Sequence, residues 1–115
     1  MMIVIGYTLC PEVIPDSLVS SICSLLPESV VTYSRNFYQR RRRLSFLLGR
    51  RILSEMLSVD LALIQVDKYG KPYLPGCADF NISHSNNMVI CAVSERAEVG
   101  VDVEFIKDDL SLNDY

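Results

Sequence analysis

The chain has 115 residues, half of them hydrophobic, a net charge of −3 and a mean hydropathy of +0.23. That length bounds it to one domain with one modest core, and its acidic balance gives no general attraction for nucleic acid or anionic lipid. No apolar run approaches the roughly 18 residues that read as a membrane-spanning helix.

The first residues, MMIVIGY, lack a basic region and a cleavage site, so they read as a strand over Met2 to Tyr7 and not as a signal peptide. Pro15-Asp16-Ser17 offers helix-capping chemistry, and Leu18, Ile22, Leu25 and Leu26 follow at helical spacing until Pro27 ends the run. A longer helix is predicted from about Arg35 to Leu57, on the stripe Phe37, Leu44, Leu47, Leu48, Ile52, Met56 and Leu57. Ala62 to Val66 reads as a strand, and Tyr69-Gly70-Lys71-Pro72-Tyr73 as a turn. Three strands follow, at Phe80–Ser83, Met88–Val93 and Val99–Phe105, the last two expected to form an antiparallel hairpin around Glu95–Glu98. The fold class is therefore α+β, a small, mainly antiparallel sheet packed against a long helix. Residues 1–107 are expected to form a single domain, with 108–115 a loose tail.

Cys10, Cys23, Cys77 and Cys91 are scattered, with no Cys-x-x-Cys spacing. A disulfide framework or zinc site is not expected, and a reducing, cytoplasmic setting is. An apolar excess without a membrane segment points to a surface meant for a partner.

Charge is uneven along the chain. Seven of the eleven basic residues lie between Arg35 and Arg51. Arg40 to Arg43 go around a helix and cannot all serve one ligand, whereas Arg43 and Arg50, seven apart, share a face and suit one anion. The acidic total and the confinement of the basic residues to a single cluster argue against a nucleic-acid partner. Lys71, between Gly70 and Pro72, can present a point charge to a phosphate. Ser83 and His84, the only histidine, end a strand, where a hydroxyl, an imidazole and free backbone N–H groups can hold an anion. Asp102 and Glu104 alternate with Val101, Val103 and Phe105, so both carboxylates share one strand face. Such a pair suits Mg²⁺, which takes one or two carboxylates plus phosphate oxygens. Each feature alone has a plainer reading as solvated surface. Together they suit a ligand with several phosphates and a divalent ion.

Four motifs in order, Leu-Leu-Gly-Arg (47–50), Gly-Lys-Pro (70–72), Phe-Asn-Ile-Ser-His-Ser (80–85) and Val-Gly-Val-Asp-Val-Glu (99–104), closely resemble the 4′-phosphopantetheinyl transferases of the surfactin-synthetase type, in the holo-acyl-carrier-protein synthase superfamily. The resemblance runs from about Pro27 to Lys107 and corresponds to the N-terminal half of a usual member, so the fold expected is one half of that fold. It implies transfer of 4′-phosphopantetheine from coenzyme A to a serine of an acyl or peptidyl carrier protein. It also implies Mg²⁺ ligands at Asp102 and Glu104, and coenzyme A contacts at Arg43, Arg50, Lys71, Pro72, Ser83 and His84. Two departures stand beside it. No tryptophan is present, so the family's Trp-x-x-Lys-Glu segment, with the acid often assigned to proton removal, is missing; the catalytic base is expected in a second half. Glu28 to Ser34 holds no basic residue where the family tends to carry them. The chain is accordingly expected to be a truncated or split half, completed by self-association or by a complementary chain. Its other reading is a non-catalytic module that binds coenzyme A or a carrier protein.

Overall fold

The computed structural model describes residues 3–76, 79–85 and 87–94. In chain order these form β1 (Ile3–Leu9), α1 (Asp16–Cys23), α2 (Glu28–Ser34), α3 (Arg40–Leu57), a 3₁₀ turn (Leu61–Leu63), β2 (Gln65–Val66), β3 (Pro72–Tyr73), β4 (Asp79–His84) and β5 (Met88–Ser94). The expected α+β architecture is what is found.

β5 is the middle strand of a three-stranded antiparallel sheet. β1 pairs along one edge, from Ile3 opposite Ser94 to Leu9 opposite Met88, and β4 along the other, from Asp79 opposite Ser94 to His84 opposite Val89. A strand with neighbours on both sides tolerates a nearly unbroken apolar run, and MVICAVS is one. This pairing corrects the expected hairpin between Met88–Val93 and Val99–Phe105. Both edges of β5 are already hydrogen-bonded along its length, so its hairpin is with β4. Residues 95–115, including Asp102 and Glu104, lie outside the described residues.

One sheet face carries α3. Val89, Cys91, Phe80, Leu44, Leu47 and Leu53 are almost completely buried there. Two glycines set the separation. A Cβ on Gly6 of β1 would stand 2.9 Å from Ile52 Cγ2, and one on Gly49 of α3 would stand 2.8 Å from Ile82 Cγ2. Helix and sheet thus meet where neither backbone carries a side chain, which places the arginines of α3 close to β4. On the opposite face, alternation turns Ile3, Ile5, Tyr7 and Leu9 outward, each about half exposed or more.

The helical region differs from expectation. Pro27 ends one helical turn and also stands at the start of α2, where its carbonyl accepts from Val30 N and Val31 N. Proline lacks a donor and fixes φ but keeps its acceptor, so it can open a helix as well as close one. α3 begins at Arg40, after Gln39 in extended conformation (φ −80°, ψ 128°). Residues 35–39 turn the chain between α2 and α3, and Phe37 folds back onto Tyr33 and Phe46, with ring centroids 6.2 and 5.3 Å away. The stretch 62–66 divides into the 3₁₀ turn, begun by Asp60 Oδ1 accepting from Ala62 N at 2.9 Å, and β2.

Candidate functional site: a cationic cleft between α3 and β4

The turn before β3 is built by Asp67. Its Oδ1 accepts from Tyr69 N at 2.8 Å and from Lys71 N at 2.9 Å, while Gly70 adopts φ +83°, a conformation that glycine reaches without a Cβ penalty. β2 and β3 pair across this turn, Val66 opposite Pro72. The result holds Lys71 and Pro72 against the edge of β4.

There a cleft of about 190 Å³ is lined by Arg42, Phe46 and Arg50 of α3, by Lys71 and Pro72, and by Phe80, Asn81 and His84 of β4. Four residues singled out from sequence, Arg50, Lys71, Pro72 and His84, therefore meet at one place from three separate segments. No carboxylate lines the cleft among the described residues. Lys71 Nζ lies 3.3 Å from Asp79 Oδ1 just beside it, a partly exposed pair that contributes little by itself.

Arg50 is the best-defined cation of the site. Its guanidinium carbon stands 4.7 Å from the centroid of Phe46, which in turn sits 5.2 Å from Tyr33. Burial pulls the Arg50 pKa below the ordinary arginine value, partly offset by Tyr33 and Cys91. Arginine's large reserve above neutrality keeps the group charged. Cys91, in the core beneath it, has its thiol pushed up to about 11 by burial, against the opposing pull of Arg50. At neutral pH it is a protonated, buried thiol and not a nucleophile.

Arg50, Pro72 and His84 also border a larger groove of about 680 Å³, walled by Tyr33, Phe37, Phe46, Val30, Ile64 and Val66. The site thus joins a compact cationic cleft to an apolar, aromatic groove. That combination suits a ligand with a phosphorylated end and a flat or aliphatic remainder.

Two sequence expectations fall elsewhere. Arg43 does not line the cleft. Its Nε donates to Ser34 Oγ at 3.1 Å, and it borders a separate cavity of about 460 Å³ with Arg35 and Arg40. Ser83 is adjacent to His84 on β4, and strand alternation puts its side chain on the opposite sheet face. Arg42, which sequence reading passed over, does line the cleft. The signal was present: Arg42, Phe46 and Arg50 form an i, i+4, i+8 row, a ridge along one side of a helix. Asp102 and Glu104 lie outside the described residues. Among the described residues no group of three or more His, Cys, Asp or Glu side chains is placed to hold a metal, and no helix is long and apolar enough to cross a membrane.

No protein-family model matches the chain. Individual curated proteins do. It is 37% identical over 81 residues to a 4′-phosphopantetheinyl transferase of Bacillus subtilis, an alignment covering 64% of this chain and 36% of that protein. It is 28% identical over 104 residues to the 4′-phosphopantetheinyl transferase HetI of a Nostoc species, covering 81% and 44%. It is 39% identical over 70 residues to the 4′-phosphopantetheinyl transferase gsp of Aneurinibacillus migulanus, covering 59% and 29%. The chain spans less than half the length of each of these relatives.

Proposed function

We propose that this chain, 4′-phosphopantetheinyl transferase-like over most of its length, supplies the coenzyme A-binding part of such a transferase, acting on an acyl or peptidyl carrier protein in the cytoplasm. The observation that carries the reading is the meeting of Arg50, Lys71, Pro72 and His84 around one cleft, joined to a groove without further charge. The cleft residues would hold phosphate groups of coenzyme A, and the groove would take an uncharged portion of it. Arg43, assigned to coenzyme A from sequence, would act less directly by bracing α3 against α2. Ser83, facing away from the cleft, would reach the ligand only from the other side of β4.

Asp102 and Glu104 would hold Mg²⁺, two carboxylates two residues apart in sequence supplying the hard oxygens that it prefers. When bound, the ion neutralises pyrophosphate charge. In the reaction, the carrier serine oxygen bonds to the β-phosphorus of coenzyme A and the bridging P–O bond breaks. 3′,5′-ADP leaves, and the serine proton passes to a base outside the residues assigned here. What this chain's residues contribute is positioning and charge stabilisation. The exposed Ile3, Ile5, Tyr7 and Leu9 favour a covering surface from a second copy or a complementary chain. Light scattering at micromolar concentration is then expected to give a mass above that of one chain, and a monomer counts against it.

The direct test is mass spectrometry of an apo carrier protein after incubation with the chain, coenzyme A and Mg²⁺. The expected result is a weak gain of one phosphopantetheinyl group from the self-associated chain, or a full one once a complementary second-half chain is added, lost in Asp102→Ala and in Glu104→Ala. Measurable coenzyme A binding without modification would favour a binding module. Unchanged Mg²⁺ dependence in both variants would remove the metal assignment.

A further inference from the structure

The separate cavity of about 460 Å³ is walled by α1, by α2 and by the connection from α2 to α3. Phe37 is the one lining residue that it shares with the cationic cleft and the aromatic groove. Three guanidinium groups line it, those of Arg35, Arg40 and Arg43, against a single carboxylate, Asp16, among the described residues. Two of the three are engaged. Arg40 Nη1 donates to the carbonyl of Ile14 at 3.0 Å, and its Nη2 pairs with Asp16 Oδ1 at 2.8 Å. Arg43 Nε donates to Ser34 Oγ at 3.1 Å.

Arg35 differs. It is exposed, and among the described residues its side chain has no hydrogen bond or ion pair. Its backbone is fixed all the same. Arg35 N, Asn36 N and Phe37 N donate in turn to the carbonyls of Thr32, Tyr33 and Ser34, at 3.1, 3.1 and 3.2 Å. Next in the chain, Tyr38 is fully exposed, whereas Phe37 is folded onto Tyr33 and Phe46. Val19 and Val31 add apolar wall to the cavity.

We propose that this cavity and its rim are a docking surface for a carboxylate-rich segment of another protein, with Arg35 and Tyr38 as its anchors. Charge complementarity decides the partner. Asp16 is taken by Arg40, which leaves Arg35 and Arg43 without a carboxylate among the described residues. Guanidinium forks match carboxylate oxygens two by two. The valine walls and the bare Tyr38 ring favour a segment that brings apolar side chains with its acids over a free anion. Arginine and tyrosine are also the residues in which interface hot spots are enriched. The hydrogen-bonded connection is already ordered, so little backbone freedom is lost on binding. The inference stands apart from the coenzyme A reading, since neither Arg35 nor Tyr38 lines the cleft.

The test is fluorescence anisotropy with a labelled synthetic peptide rich in Glu and Leu, and with its counterpart in which every Glu is Gln. Each is titrated with the parent chain, Arg35→Gln, Tyr38→Ala and Arg50→Gln, and Tm is measured for each protein. The parent is expected to bind the Glu peptide in preference to the Gln peptide, and less tightly as salt rises. Arg35→Gln should weaken that binding about tenfold, the scale of a charge-assisted hydrogen bond desolvated in a complex. Tyr38→Ala should weaken it about fivefold or more, as truncation of an interface anchor does. Both should keep the parent's Tm, because exposed side chains are exchanged. Arg50→Gln should bind the peptide as the parent does. The proposal is overturned if the parent does not bind the Glu peptide, if it binds the Gln peptide equally, or if Arg35→Gln keeps the parent's affinity. Displacement of the peptide by inorganic phosphate at constant ionic strength would make the cavity a bare anion site and overturn it as well.

Discussion

Arg50→Gln is expected to weaken coenzyme A binding by about 10- to 100-fold, since a hydrogen bond to a charged group contributes roughly 1.5–3 kcal/mol and each 1.4 kcal/mol is about a factor of ten. The effect should exceed that of any other single substitution in the cleft. Arg50 borders both the cationic cleft and the apolar groove. Its guanidinium is partly stripped of water by burial, so an anion meets a cation in a medium of reduced dielectric, where attraction is stronger. Lys71→Ala should cost less. Lys71 is shared with Asp79, a weak, partly exposed pair that already meets part of its charge. Arg50→Lys separates charge from shape. It keeps the cation and loses both the fork and the stacking on Phe46, so its affinity should fall between parent and Arg50→Gln. Parent-like affinity in a folded Arg50→Gln would remove Arg50 from the site and with it the reading of the cleft as a phosphate grip.

The site was legible where a residue's neighbours in the chain decide its environment. Lys71 and Pro72 follow a turn whose glycine and aspartate are local, and His84 ends a strand marked by alternation. The arginine run was not legible in that way. Whether Arg40, Arg41, Arg42 or Arg43 reaches the ligand depends on carbonyls 26 to 30 residues earlier, at Pro11, Glu12 and Ile14. Those acceptors exist only because the β1–α1 connection runs past the start of α3. Equal spacing made Arg43 and Arg50 a reasonable pair, but the i+4 ridge through Phe46 is the one that faces β4.

The fold shows the same division. β1, β4 and β5 declare themselves by apolar runs bounded by polar turns. Their order does not, because local spacing favours hairpins between successive strands, whereas β5 spends its second edge on β1 from the far end of the chain. α2 was hidden by its own residues. Val30, Val31 and Thr32 are stiff, β-branched side chains that favour strands. They become helical because Val30 enters the core, which illustrates packing overriding propensity.

Phe80→Ala is expected to lower stability by about 3–5 kcal/mol, the cost of deleting a buried phenyl group and leaving part of its cavity open. For a small domain whose total stability is roughly 5–15 kcal/mol, that removes a large share. At roughly 4–8 °C per kcal/mol, Tm should fall by well over ten degrees in thermal unfolding followed by circular dichroism. Phe80 is only 1% exposed and sits opposite Val93 on the α3 face of the sheet, where relatively little slack exists because Gly6 and Gly49 already hold helix and sheet close. Phe80→Leu keeps an apolar side chain of similar reach and should recover most of the loss. A Tm for Phe80→Ala within about 3 °C of the parent, under one kcal/mol on that scale, would mean that the core does not depend on this contact. The same ring lines the cationic cleft from below, so core and site are one structure here. Any loss of ligand affinity in Phe80→Ala should therefore track its loss of Tm, whereas Arg50→Gln should lose affinity out of proportion to any change in stability.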